Sequence, residues 1–125
     1  MKSLAPDLTR LARLGEERRI RGFCLASRET VDRDSLTHSR FFAPHLGIPE
    51  DPVTGSVHAS IPVWLWEAGA FKADGGVARF RAEQGDSLGR PGRLQVELHV
   101  ADGRPARVRV GGQAVTVLTG SLRLE

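Results

Sequence analysis

The run Glu50-Asp51-Pro52-Val53-Thr54-Gly55-Ser56 carries most of the chemistry this sequence offers. It stands directly before the most apolar stretch of the chain, so it reads as a loop opening onto a helix N-terminus. There the first backbone N–H groups have no intrahelical acceptor and carry partial positive charge. A Thr54-Gly55-Ser56 segment at that point suits the carboxylate or phosphate of a ligand. Gly55 permits close backbone approach, Ser56 adds a hydroxyl donor, and Asp51 sets a titratable carboxyl beside the same pocket. A purely structural reading stands next to this one. Thr54 is then an N-cap, Gly55 meets a backbone need, and Asp51 is a favourable charge beside the helix dipole. Composition alone leaves the structural reading ahead.

Three further residues are candidates on type. His58 lies two positions beyond Ser56 and is assigned a structural task inside the helix. Cys24, the single cysteine, sits in the apolar stretch 20–26 and reads as a small buried hydrophobe. One cysteine excludes an internal disulfide and offers no thiol cluster for zinc, so no metal site is expected. Arg40 either orients the acidic loop or is a solvated or ion-paired strand residue.

The elements that must position these residues follow from periodicity. Ala5-Pro6-Asp7 followed by Leu8, Leu11 and Ala12 predicts a short amphipathic helix ended by Gly15. Residues 20–26 and 39–43 predict strands. From Gly55 to Gly69 apolar residues fall on all sides of a helical wheel, which predicts a helix enclosed by other structure. Pro62 inside it predicts a kink or a break, because its ring frees the carbonyl of His58. Val77 to Gln84 reads as a strand. Leu94, Val96, Leu98 and Val100 alternate with Arg93, Gln95, Glu97 and His99, and Asp102-Gly103 turns the chain into an antiparallel partner at Ala106, Val108 and Val110. Gly111-Gly112 then leads into a further predicted strand from Ala114 to Leu118, and Thr119-Gly120 into Leu122 and Leu124. The expectation is one α+β domain over residues 1–125, an antiparallel curved sheet wrapped around one central apolar helix.

Composition excludes several function classes. A length of 125 residues at 40% hydrophobic content supports one small core. No stretch approaches the roughly 20 apolar residues of a membrane span, and the first residues lack the apolar run of a signal peptide. The expected location is therefore cytoplasmic, with no membrane partner. A net charge of +3 would admit a polyanion, but the arginines are scattered along the strands without a basic run, so nucleic-acid binding is not expected. Lysine occurs only at positions 2 and 72 and asparagine not at all, a usage that fits a GC-rich genome or, less directly, a thermophile.

Longer blocks change the balance between the two readings of the loop. Ser39-Arg40-Phe41-Phe42-Ala43-Pro44, then Gly47 through His58, closely resemble the second-half signature of the phenazine-biosynthesis PhzF-like isomerases. The resemblance continues in Gln84-Gly85, in Gly89 to Leu94, in Val110 to Gly120, and in the opening Pro6-Asp7-Leu8 with Leu11 and Leu14. It implies one half of a diaminopimelate epimerase-like fold, in which two like halves face each other across the active-site cleft. It also implies cofactor-independent isomerisation of a small, carboxylate-bearing substrate, in which a glutamate removes a proton and returns it elsewhere. By the same resemblance Asp51 assists proton movement while Thr54, Gly55 and Ser56 contact the substrate. A loop with a carboxyl and no thiol argues against a two-cysteine racemase. The family's glutamate and a Gly-His pair belong to an N-terminal half that has no equivalent here. The opposite wall is then a separate N-terminal-type domain or a second copy in a homodimer, or the chain is a non-catalytic domain that self-associates or docks on a partner.

Overall fold

In the computed structural model all residues are described except Lys2, Phe71 and Glu125. The first helix, α1 (Leu8–Arg18), begins at Asp7, whose side chain accepts the N–H of Arg10 at 2.9 Å as an N-cap. It does not end at Gly15. The helix continues to Arg18, and Arg19 closes it in the left-handed region with φ 52°. The N–H groups of Arg19 and Ile20 reach back to the carbonyls of Glu16 and Gly15, a Schellman closure. Gly15 is instead a contact residue: it is buried in the helix, and a Cβ there would run into the ring of His45.

Six strands follow, with a second helix between the third and fourth: β1 (Phe23–Ser27), β2 (Ser35–Ala43), β3 (Ile48–Asp51), α2 (Val57–Glu67), β4 (Val77–Gln84), β5 (Gly92–Ala101) and β6 (Arg104–Gly112). Single 3-10 turns occupy Pro44–Leu46 and Asp86–Leu88. The sheet runs β1-β2-β4-β5-β6, with β3 paired to β2, and it is curved but not closed. All pairs are antiparallel except β2 with β4, so the expected all-antiparallel meander is interrupted once. A parallel pair needs a long crossover. The chain between β2 and β4, which holds β3 and α2, is that crossover.

The alternation read in β5 holds: Leu94, Val96 and Leu98 are all at most 4% exposed, while Gln95 faces solvent. Ala82, Leu94 and Val96 form the centre of the core, with Phe80, Val108 and Val110 packed around them. Helix α2 packs against β5 and β6 through a face that buries Ile61, Pro62 and Leu65. Its opposite side is open, with Trp64 58% exposed. The expectation of a helix enclosed by other structure is thus corrected: an unclosed sheet covers one face, and Val57 and Trp64 line an open groove. Pro62 does not break the helix, which runs as one element through Glu67.

The predicted strand from Ala114 to Leu118 is absent. Residues 113–124 have no regular structure and every one is exposed. Cys24 also departs from expectation. It lies on the outermost strand and is exposed, although neighbouring apolar side chains push its thiol up to about 11.

Candidate functional site

The site is built where two strand ends meet. On one side of β2, β1 pairs with residues 38–42; on the other, Phe41 pairs with Asp51 of β3 and Ser39 with Gln84 of β4. Because β3 runs antiparallel to β2 and β4 parallel to it, their C-terminal residues, Asp51 and Gln84, converge along one edge. That convergence lets Gln84 hold the loop that follows β3. Its amide nitrogen donates to the carbonyl of Asp51 at 2.6 Å and to Thr54 Oγ1 at 3.0 Å, and its Oε1 accepts the Thr54 N–H at 3.2 Å. Gly85 completes the clamp. Its φ is +89°, and a Cβ would run into the carbonyl oxygens of Pro52 and Arg90, so only glycine allows the turn to lie against the loop.

Thr54 is buried, and each of its polar atoms is used within the chain. Besides the two bonds from and to Gln84, its hydroxyl donates to Asp51 Oδ2 at 2.6 Å, and its carbonyl is bonded to His58 Nδ1 at 2.8 Å. It is not the N-cap of α2. The helix starts at Val57 after Ser56, and Ser56 makes no side-chain capping bond. The backbone N–H groups of Gly55, Ser56 and Val57 have no acceptor among the described residues. Nor is Gly55 a backbone necessity. Its φ lies outside the left-handed region, and a Cβ would meet nothing within 4 Å.

Asp51 is therefore held from one side only. Oδ2 takes the Thr54 hydroxyl, and Oδ1 has no hydrogen-bond partner among the described residues. A cleft of about 500 Å³ opens in front of it, with Thr54, Ser56 and Ser60 on its wall and Arg21 at its rim. The sequence-predicted residues Asp51, Thr54 and Ser56 line this one cleft, with Gly55 between the last two.

Two buried groups brace the loop from behind. His58 is fully buried, and its Nδ1–H donates to the Thr54 carbonyl, which leaves Nε2, 3.3 Å from Ser39 Oγ, as the bare nitrogen of a neutral ring. Burial lowers its pKa below the usual imidazole range, and the hydrogen bond to Thr54 offsets this only in part. Its structural assignment fits this position. Arg40 meets Glu50 in a bidentate pair at 2.9 and 2.8 Å, with Ser87 donating to the same carboxylate at 2.9 Å. The guanidinium also donates to the carbonyls of Met1 and Leu4 and lies 5.0 Å from the Phe42 ring centre. The hydrogen bond from Arg40 is the main reason Glu50 titrates below the usual carboxylate range. Of the two readings of Arg40, the loop-orienting one and the ion-paired one are thus the same contact, and Asp51 lines the cleft while Glu50 does not.

Gln84 and Ser39 are the supporting residues that the sequence left without a role. Both lie in the motif blocks, but a glutamine at the end of a strand carries no periodic signal. A second polar network lies at the same end of β4, one residue before Gln84. Fully buried Glu83 accepts the N–H groups of Val31 and Asp32 at 2.8 and 2.6 Å, and Arg93 bridges Asp32 and Asp86. It anchors the turn between β1 and β2. Among the described residues no group of three or more His, Cys, Asp or Glu is placed to hold a metal.

A model of the family described as PhzC-PhzF, phenazine biosynthesis-like protein, matches residues 1–120. The chain belongs to that family. Within it, an uncharacterized isomerase of Clostridium acetobutylicum is 33% identical over 99% of this chain and 41% of its own length. The uncharacterized isomerase YddE of Escherichia coli K12 is 32% identical over 98% of this chain and 41% of its own. An uncharacterized isomerase of Deinococcus radiodurans is 37% identical over 96% and 38%. The chain thus spans about two fifths of the length of these curated relatives. A Bacillus anthracis phenazine biosynthesis protein of the PhzF family superposes with a TM-score of 0.67 over 88% of this chain and 41% of that one, at 18% identity, which shows a shared fold. No helix among the described residues is long and apolar enough to cross a membrane.

Proposed function

We propose that this PhzF-like chain is one wall of a proton-moving isomerase acting without a cofactor on a small carboxylate-bearing substrate. Asp51 is the acid/base group, and the N–H groups of Gly55 and Ser56 with the Ser56 hydroxyl hold the carboxylate. The observation that carries this reading is the one-sided holding of Asp51 in a cleft: Thr54 engages Oδ2 at 2.6 Å, Oδ1 has no hydrogen-bond partner among the described residues, and Ser56, whose N–H has no acceptor there, lines the same cleft. Thr54 serves as a positioning residue, since its polar atoms are already engaged. Gly55 supports the reading as well, because open space around its α-carbon has no purpose within the chain.

One wall is open to water, and an acid/base group works far better when the substrate is oriented and water is excluded. The reaction therefore needs a second wall, from an N-terminal-type domain or a second copy. The test is exchange of substrate C–H hydrogen with deuterated solvent, followed by NMR, using this chain together with a separately expressed N-terminal-type domain. Asp51→Asn should reduce exchange about 100- to 10,000-fold, the usual contribution of a positioned general acid or base. Gly55→Ala should weaken carboxylate binding while leaving the melting curve unchanged. Undiminished exchange in Asp51→Asn would sink the proposal.

A further inference from the structure

The hydrogen bonds that reach Asp51 run in one direction only. A hydroxyl bond from Thr54 to a carboxylate three residues earlier is, by itself, an ordinary turn closure. What sets this one apart is Gln84, which lies far along the chain and fixes where each hydrogen sits. The amide has one possible orientation. Its Nε2 is 2.6 Å from the Asp51 carbonyl, which can only accept, and its Oε1 is 3.2 Å from the Thr54 N–H, which can only donate. Turning the amide over would set oxygen against oxygen and N–H against N–H. One Nε2 hydrogen serves the Asp51 carbonyl, and the other reaches Thr54 Oγ1 at 3.0 Å. Thr54 Oγ1 is then an acceptor toward Gln84, and its single hydrogen goes to Asp51 Oδ2 at 2.6 Å. Gln84 is fully buried and Thr54 is buried, so bulk water does not compete for these hydrogens.

We infer that Gln84, acting through Thr54, selects which oxygen of Asp51 carries the proton: Oδ2 is held as an acceptor, and Oδ1 is the oxygen that gains and loses it. A proton on Oδ2 would meet the Thr54 hydrogen head-on. The hydroxyl would have to turn away, and no other acceptor bonds to it among the described residues, so a buried hydrogen would go unpaired. Oδ1 has no hydrogen-bond partner among the described residues. The catalytic meaning rests on Asp51 being the acid/base group. Oδ1 then takes a proton from a substrate C–H, the electron pair stays on the substrate, and the proton returns to another substrate atom. The hydrogen-bond chain itself stands apart from that reading. Gln84 is a positioning residue, one side chain removed from the acid/base group.

The test is made by NMR on the chain without substrate, so its failure is separate from failure of the isomerase reading, which solvent exchange into substrate decides. The Thr54 hydroxyl should give a slowly exchanging proton signal close to the Gln84 side-chain N–H groups, present in wild type and Thr54→Ser and lost in Thr54→Val. In mixed light and heavy water the Asp51 carboxyl carbon should show an isotope shift from that hydroxyl. Gln84→Glu, which replaces both donors by acceptors, should draw the hydroxyl off Asp51 and remove the shift. Acidification until the Asp51 carboxyl carbon reports protonation should leave the wild-type hydroxyl signal and its Gln84 contact in place, because the proton goes to Oδ1. A hydroxyl that turns away from Asp51 on protonation would overturn the inference, as would a missing Gln84 contact or an isotope shift indifferent to Gln84→Glu. Where acid unfolds the chain first, the isotope shift in wild type, Thr54→Ser and Gln84→Glu at neutral pH decides.

Discussion

The loop 51–56 and the segment 113–124 both lie in blocks that match the family motif, but they reach very different ends. The loop is short and carries no periodic pattern, yet it is held by Gln84, His58 and a glycine turn, each from a different element. The segment has the stronger strand pattern and is held by nothing in the chain. Local pattern is a poor guide to order when the partner atoms are missing, and a good hydrogen-bond inventory is a sufficient one. A strand leaves its backbone groups to be satisfied by a neighbour, whereas the loop's acceptors and donors are met by side chains that the crossover brings together.

That contrast can be broken from the loop side most severely. Arg40→Met should leave Glu50 largely buried without its counter-charge and lower the unfolding free energy by about 3–5 kcal/mol, measured by denaturant melts. Gln84→Leu should orphan the Asp51 carbonyl and the Thr54 N–H at a cost of about 1–3 kcal/mol. Faster amide exchange at Thr54 would accompany it, and unchanged exchange would mean that the clamp is not what orders the loop.

The loop should also respond to pH. His58 has a folded pKa below its ordinary 6.5 because it is desolvated, so the unfolded chain binds the proton first. Stability is full above about pH 6.5 and falls as pH drops below it, by up to about 1.4 kcal/mol per pH unit until folded His58 itself protonates. A second loss begins below about pH 4.5, where the unfolded chain protonates the carboxylates that Arg40 and Arg93 hold down at Glu50 and Asp86. His58→Gln should abolish the first phase in pH-dependent melts and retain the second. The smallest effect belongs to the segment: in dilute monomer, Val115→Asp with Val117→Asp should shift the unfolding free energy by less than about 0.5 kcal/mol.

Much of the sheet was legible before any coordinates. Val77 to Gln84 forms the expected strand, and the Asp102-Gly103 turn joins β5 to the expected antiparallel partner β6, with one register shift between His99 and Val100. Where reading failed, the reason was a contact at long range. Gly15 has the residue type of a helix stop, but what it supplies is room for His45. Cys24 looks like core because its neighbours are apolar, but β1 is an outer strand. Helix α2 looks enclosed because residues such as Trp64 are apolar, but the sheet stops short of it on one side.

The candidate site divides in the same way. The sequence by itself picked out its candidate members, because a carboxyl, a Thr-Gly-Ser loop and a helix start are consecutive there, and it determined the family through ordered blocks spread along the chain. Only the tertiary structure decided their contacts. The parallel placement of β4 beside β2 carries Gln84 to the end of β3, and the hydrogen bonds made there occupy Thr54, while Asp51 Oδ1 and the Gly55 and Ser56 N–H groups have no partner among the described residues. Residue types name the donors and acceptors available. Which of them remain unsatisfied depends on neighbours distant in sequence.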